Sequence, residues 1–323
     1  MKFRTEIEIL PYDRQLSYDD RLLALGSCFA TEIGRRMAEA KFRIAVNPSG
    51  VLFNPLSIVR TLRRYRDGRP VAKEELQHAD GRWFHYDFHG SLAGDTADEA
   101  LTRIDAAVAE GARALHEASA VLLTLGTAWV YERTDTGDVV ANCHRQPAER
   151  FRRRRLSVEE VVSAIESVLP DESSGKRILL TVSPVRHLGD GLAGNAVSKA
   201  VLRLAAEELS ERHAQVAYFP AYEILCDDLR DYRFYADDLV HPAPQAVAYV
   251  WEKFAPAVLT DEALRLLPEA EAIVAAAAHR PRNPQGEAHR AFCRRQLERI
   301  AALPEMDFQS ETAYFRRCLE INS

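Results

Sequence analysis

Two short stretches, far apart in the chain, carry residue types that could act on a substrate. The first is Gly26-Ser27-Cys28-Phe29-Ala30, where an apolar run gives way to a helical pattern. A residue at such a turn meets the unpaired N–H groups and the positive dipole end of the helix. That setting is expected to lower a thiol pKa and make a better nucleophile. Ser27 is a natural N-cap, which puts Cys28 at the first helical position. The apolar stripe of this helix centres near Ile33 and Met37, and Cys28 falls nearly opposite, in line with Glu32, Arg35 and Glu39. A core cysteine belongs on the stripe, so its absence from it favours chemistry. The competing reading is a small cysteine buried in a tight turn. The second stretch is Asp237-Asp238-Leu239-Val240-His241-Pro242. At a spacing of three, the Asp238 carboxylate can accept from one imidazole nitrogen of His241 and leave the other free as a base. Pro242 biases His241 to extended backbone, which puts the pair on a loop. Taken alone, the same spacing fits any surface Asp and His.

The intervening pattern supplies the frame for these residues. Short apolar runs at Leu22–Gly26, Phe42–Val46, Ala120–Leu125, Arg177–Val182 and Gln215–Phe219 read as strands. Helical spacing covers Ser27–Ala40, Asn54–Arg64, Asp95–Glu117, Ser157–Val168, Asn195–Arg212 and Ala243–Val258. Strand and helix in alternation predict a parallel sheet covered on both faces. Trp129–Arg133 and Val139–Asn142 flank Asp135-Thr136-Gly137-Asp138, a hairpin signal. Residues 72–93, polar and aromatic, read as an irregular excursion. Beyond residue 260 the strand-like runs stop, and Asp261–Ala278 and Gln285–Leu303 read as helices. The expectation is one sheet domain over 1–259 with a helical extension over 260–323.

Composition narrows the classes. The formal net charge of −6 argues against general nucleic-acid binding. No run of ~18 apolar residues exists to span a membrane, and Met1-Lys2-Phe3-Arg4-Thr5-Glu6 has no apolar signal core. The five cysteines are scattered, with no CxxC pair, so neither a zinc ribbon nor a disulfide framework is expected. A cytoplasmic protein with reduced thiols follows as the default; oligomeric state is open. His85, His89 and His144 lack tight ligand spacing, so no metal is expected. Arg186 and His187, after the fourth strand, could bind an anionic group or form an ordinary loop pair. The basic run Arg150–Arg155 reads as a solvated turn and helix start.

The stretch Leu25-Gly26-Ser27-Cys28-Phe29-Ala30-Thr31-Glu32-Ile33 resembles the signature of the GSCFA family. Phe53-Asn54-Pro55, Leu125-Gly126-Thr127-Ala128-Trp129, Asn142-Cys143-His144, Thr181 to His187, Tyr232 to Tyr235 and Asp238 to Pro242 follow in that family's order. The resemblance covers about residues 20–258. It implies likeness to the SGNH, or GDSL-type, hydrolases: a flavodoxin-like α/β/α fold that cleaves esters or transfers acyl groups. Cys28 then matches the nucleophile, and Asp238 and His241 the acid and base. A slip of one residue would make Ser27 the nucleophile. Gly50 matches one oxyanion donor. The third-strand turn, Gly126-Thr127-Ala128, lacks the Asn that such enzymes carry, so Thr127, Asn54 or Asn142 is expected to supply a side chain. A thiolate suits thioesters, which points to a small acyl substrate such as an acyl-CoA, with no cofactor. The alternative, of another class, is a non-catalytic module in which Arg186, His144 and His241 hold an anionic small molecule.

Overall fold

Each strand of the central sheet is a short apolar run closed by a turn, and each is followed by a helix with one apolar face. In the computed structural model, which describes residues 4–284 and 286–320, β1 (Arg21–Gly26) leads into α1 (Cys28–Glu39), and β2 (Arg43–Val46) leads on to α2 (Pro55–Asp67). A hairpin of β3 (Gln77–Ala79) and β4 (Arg82–Phe84) precedes α3 (Ala97–Glu117). After β5 (Ala120–Leu125), a small antiparallel sheet of β6 (Trp129–Arg133), β7 (Val139–Val140) and β8 (Phe151–Arg155) leads to α4 (Val158–Glu166). Then come β9 (Arg177–Val182), α5 (Gly191–Arg212), β10 (Val216–Phe219) and a short α6 (Ala221–Glu223), which continues as a π-helical segment over Ile224–Leu229. Helix α7 (Pro244–Val258) closes the repeating unit, and α8 (Asp261–Ala278), α9 (Glu287–Ala301) and α10 (Gln309–Glu320) follow.

The five main strands are all parallel, in the order β2-β1-β5-β9-β10. Counted among themselves this is 2-1-3-4-5, the doubly wound flavodoxin-like order, with its switch point between β1 and β5. Period-2 alternation divides the strands between two cores. Leu22, Ala24, Ala120, Leu122 and Leu179 face a layer containing Phe29, Ile33 and Met37 of α1 and Val250, Trp251 and Phe254 of α7. Leu23, Leu25, Val121, Leu123, Ile178 and Leu180 face α2, α4 and α5 through Ile58, Leu62, Val161, Ile165, Leu202 and Leu209. The result is the three-layer α/β/α sandwich that the pattern predicts. Helices α8 to α10 lie on the α1 side, where Ile273, Cys293 and Phe315 enter the same core. Lys41 Nζ donates to Glu311 at 2.7 Å, and Arg43 donates to the Glu305 carbonyl at 3.1 Å. Among the described residues, no helix is long and apolar enough to cross a membrane.

Three local expectations are corrected. The run Phe151–Arg155 is a strand, not a turn and helix start, and it pairs antiparallel with β6. Its arginines are absorbed by neighbours: Arg152 and Arg154 donate to Glu132, and Arg153 lies 4.6 Å from the Trp129 ring. The stretch 72–93 contains the β3–β4 hairpin, turned at Asp80-Gly81 with positive φ at both residues. The helix expected from Gln285 to Leu303 runs from Glu287 to Ala301, and Gln285 itself lies outside the described residues.

Candidate active site

The turn from β1 into α1 depends on Gly26. Its φ is +136°, and a Cβ there would stand 2.1 Å from the Thr124 carbonyl oxygen of the neighbouring strand, so only glycine fits. The Ser27 N–H donates to that carbonyl at 3.2 Å, and the Ser27 hydroxyl accepts from the Phe29 N–H at 3.3 Å as the N-cap. Ser27 is 1% exposed. Cys28, one residue on, is only partly buried. Burial pushes its thiol pKa up from the ordinary value; its own backbone N–H opposes the shift and Glu32 adds to it. The helix N-terminus was expected to win this contest, and desolvation outweighs it instead. In the free protein Cys28 is therefore a protonated thiol that needs a base.

The Asp238–His241 pair lies on the loop before α7. Asp238 Oδ2 lies 2.7 Å from His241 Nδ1, while Asp238 Oδ1 accepts the backbone N–H groups of Val240 at 2.9 Å and His241 at 3.0 Å. These bonds hold the carboxylate at about 2, far below its ordinary range, with the His241 backbone bond the largest cause. An ionised Asp238 fixes the proton on Nδ1 and leaves Nε2 with its lone pair. The loop is pinned to the sheet edge by the segment after β9: the Arg186 N–H donates to Val240 O at 3.1 Å, and its guanidinium donates to Leu239 O at 3.4 Å while lying 3.8 Å from the Tyr235 ring centroid. Arg186 is thus a brace for the Asp238–His241 loop, not an open anion site. No hydrogen bond links Cys28 to His241 in this ligand-free state.

The proposed oxyanion donors divide on inspection. The Gly50 N–H is committed to Asn47 O at 2.7 Å. Gly50 is required instead for its φ of +84° and because a Cβ would meet His89 Cβ at 2.1 Å. The N–H groups of Gly126 and Thr127 both donate to Phe53 O, at 2.8 and 2.9 Å. Thr127 Oγ1 is held by Ser198 and accepts from the Trp129 N–H. Asn142 accepts from the His144 N–H at 2.8 Å. His144 stacks on Phe84 and places Nε2 3.1 Å from the carbonyls of both His85 and Phe88, with burial lowering its pKa to about 4. Asn142 and His144 therefore knit the hairpin insertion together. Among the described residues, His85, His89 and His144 do not converge as metal ligands.

Three donors stand apart from these. The Cys28 N–H sits at the first helical position, where it faces its own sulfur. Asn54 Oδ1 caps α2 by accepting from the Ser57 N–H, and among the described residues its amide nitrogen has no protein acceptor. His187 Nε2 is buried without a partner, 3.4 Å from where a Gly126 side chain would begin, and its ring stands edge-on to Phe53 at 5.7 Å. Burial first, then the positive fields of Lys199, His241 and Arg153, lower His187 to about 4 and keep it neutral.

Sequence reading missed Lys199. Its side chain is fully buried, and Nζ donates to Gly126 O at 2.6 Å and Ser183 O at 2.7 Å, tying the ends of β5 and β9 together. The signal was present: Asn195, Ser198, Lys199 and Leu202 share the buried stripe of α5, and a lysine on such a stripe needs acceptors.

A family model described as GSCFA family matches residues 21–254, and one described as GSCFA domain protein, C-terminal domain, matches residues 270–321. No curated protein and no solved structure matches the chain.

Proposed function

The chain belongs to the GSCFA family, and from that premise we propose that it is an SGNH-like hydrolase or acyltransferase with Cys28 as nucleophile. The observation that carries the reading is the Asp238–His241 pair, bonded at 2.7 Å with Nε2 left as the base, on a loop braced to the sheet edge that bears Cys28. His241 Nε2 takes the Cys28 S–H proton, and the sulfur attacks an acyl carbonyl carbon. The carbonyl oxygen becomes an oxyanion that the Cys28 N–H, the Asn54 amide and His187 Nε2–H stabilise. The C–O or C–S bond to the leaving group breaks, the leaving group takes the proton from His241, and a thioester to Cys28 remains. Water or an acceptor hydroxyl then repeats the sequence, with His241 accepting its proton.

Cys28 is preferred to Ser27 because Ser27 is buried and its hydroxyl is committed as the cap. An acyl substrate fits the exposed apolar side chains of Leu188, Leu192, Tyr232 and Leu239, which flank Arg186 and His241 along the chain. The test is hydrolysis and transfer of aryl esters and acyl thioesters, with mass spectrometry of the trapped intermediate. Acyl mass on the peptide containing Cys28, lost in Cys28→Ala, is expected. Full turnover by Cys28→Ala sinks the assignment. A Cys28→Ala chain that still binds an anionic ligand, beside a parent that never turns over, would favour a binding module.

A further inference from the structure

Away from the proposed active site, α9 and α10 bring three metal-ligating side chains together. His289 and Cys293 stand four residues apart on α9, so they share one face of the helix. Cys318 comes from α10. The ligand atoms of all three lie within 4.8 Å of one another, and His289 Nε2 is 3.6 Å from Cys293 Sγ. A nitrogen and a sulfur bound to one tetrahedral zinc, at about 2.0 and 2.3 Å from it, sit about 3.5 Å apart. Helix α9 already holds that spacing between His289 and Cys293. We propose that His289, Cys293 and Cys318 bind a zinc ion that clips α9 to α10.

The surroundings suit such an ion. Two thiolates and a neutral imidazole give Zn²⁺ a net charge of zero, which lowers the cost of placing it beside the apolar core that Cys293 and Phe315 enter. The thiols already hydrogen-bond one another, and the Tyr314 hydroxyl hydrogen-bonds Cys318, so an outer partner for one sulfur is in position. His289 stacks on Phe292, with ring centroids 6.1 Å apart, which limits its rotation. Water completes the fourth position. Binding converts two S–H groups to thiolates and releases two protons to solvent. Apparent affinity therefore rises with pH.

The experiment uses the full untagged chain, reduced and stripped of metal. Zinc is titrated against a chromophoric chelator, and cobalt(II) is added separately as a spectroscopic probe. One zinc per chain is expected, together with thiolate-to-cobalt charge-transfer and tetrahedral d–d bands. Cys318→Ser and His289→Ala are expected to lose stoichiometric binding while keeping the parent circular dichroism. Both residues are only partly buried, so these variants test the site without opening the core as a change at Cys293 would. No zinc on the reduced parent overturns the proposal. So does binding that survives both variants, which would place the ion elsewhere. A parent chain isolated with a Cys293–Cys318 disulfide, and no metal binding after reduction, assigns the pair to redox chemistry and overturns it equally.

Discussion

At Cys28 two opposing influences meet, and burial outweighs the hydrogen bond from its own backbone N–H. Alkylation of Cys28 in the ligand-free protein is therefore expected to rise with pH through a midpoint above that of an ordinary thiol. His241→Ala should leave that midpoint nearly unchanged, because the two side chains are not bonded without substrate. A midpoint well below about 8.5 would show that the thiolate is preformed. In turnover, Asp238 at about 2 stays ionised across the working range, so it contributes no limb to a rate profile there. The oxyanion donors separate by substitution. His187→Phe is expected to reduce kcat by about 10²–10³ with little change in KM. Asn54→Ser keeps the cap, since Ser and Asn rank alike there, and should lower kcat without lowering the melting temperature. Unchanged kcat in both variants removes these two side chains from the reaction. Cys28, Asp238 and His241 were legible because motif and spacing name them. The work of Gly50, Thr127, Asn142 and Arg186 was not, because it depends on acceptors contributed by distant segments, such as Phe53 O, Ser198 and Tyr235.

Among the elements, α5 does more than cover the sheet. Through Lys199 it fastens β5 and β9 at the edge where Gly126 and Ser183 turn away. Lys199→Met leaves two buried carbonyls without a donor, at roughly 1–3 kcal/mol each. A loss of about 2–5 kcal/mol in chemical denaturation is expected, and a loss under about 1 kcal/mol would show that water replaces the ammonium. Burial lowers the Lys199 amine from 10.5 to about 7. Between those values the unfolded chain holds a proton that the native chain has released, so this group makes stability rise with pH from about 7 toward 10.5. Lys199→Met should flatten that part of the profile. Strand and helix positions were readable from apolar periodicity, which here follows burial closely. Strand β8 was not, because Phe151–Arg155 carries four arginines and its strand state rests on pairing with β6 and on Glu132.

For the molecule as a whole, a parallel sheet covered on both faces followed from alternating strands and helices, but the placement of residues beyond 260 did not. An Ala- and Arg-rich helical run looks alike whether it projects into solvent or docks. Only the contacts of Ile273, Cys293 and Phe315 decide between these. Removing residues 260–323 is expected to uncover apolar surface on the α1 side. The shortened chain should bind a hydrophobic dye and lose its sharp thermal transition; a cooperative transition within a few degrees of the parent would show that the sheet domain closes its own core.

Because α1 carries Cys28, the proposed nucleophile, at its first position and shares its core with α8 to α10, synthesis has a consequence for function. The strand-to-helix turn leaves the ribosome before the helices that complete its side of the sandwich. A nascent chain halted before α8 holds every residue of the candidate site and lacks the support that fixes α1. The thiol is thus made well before the helices that set it firmly in place.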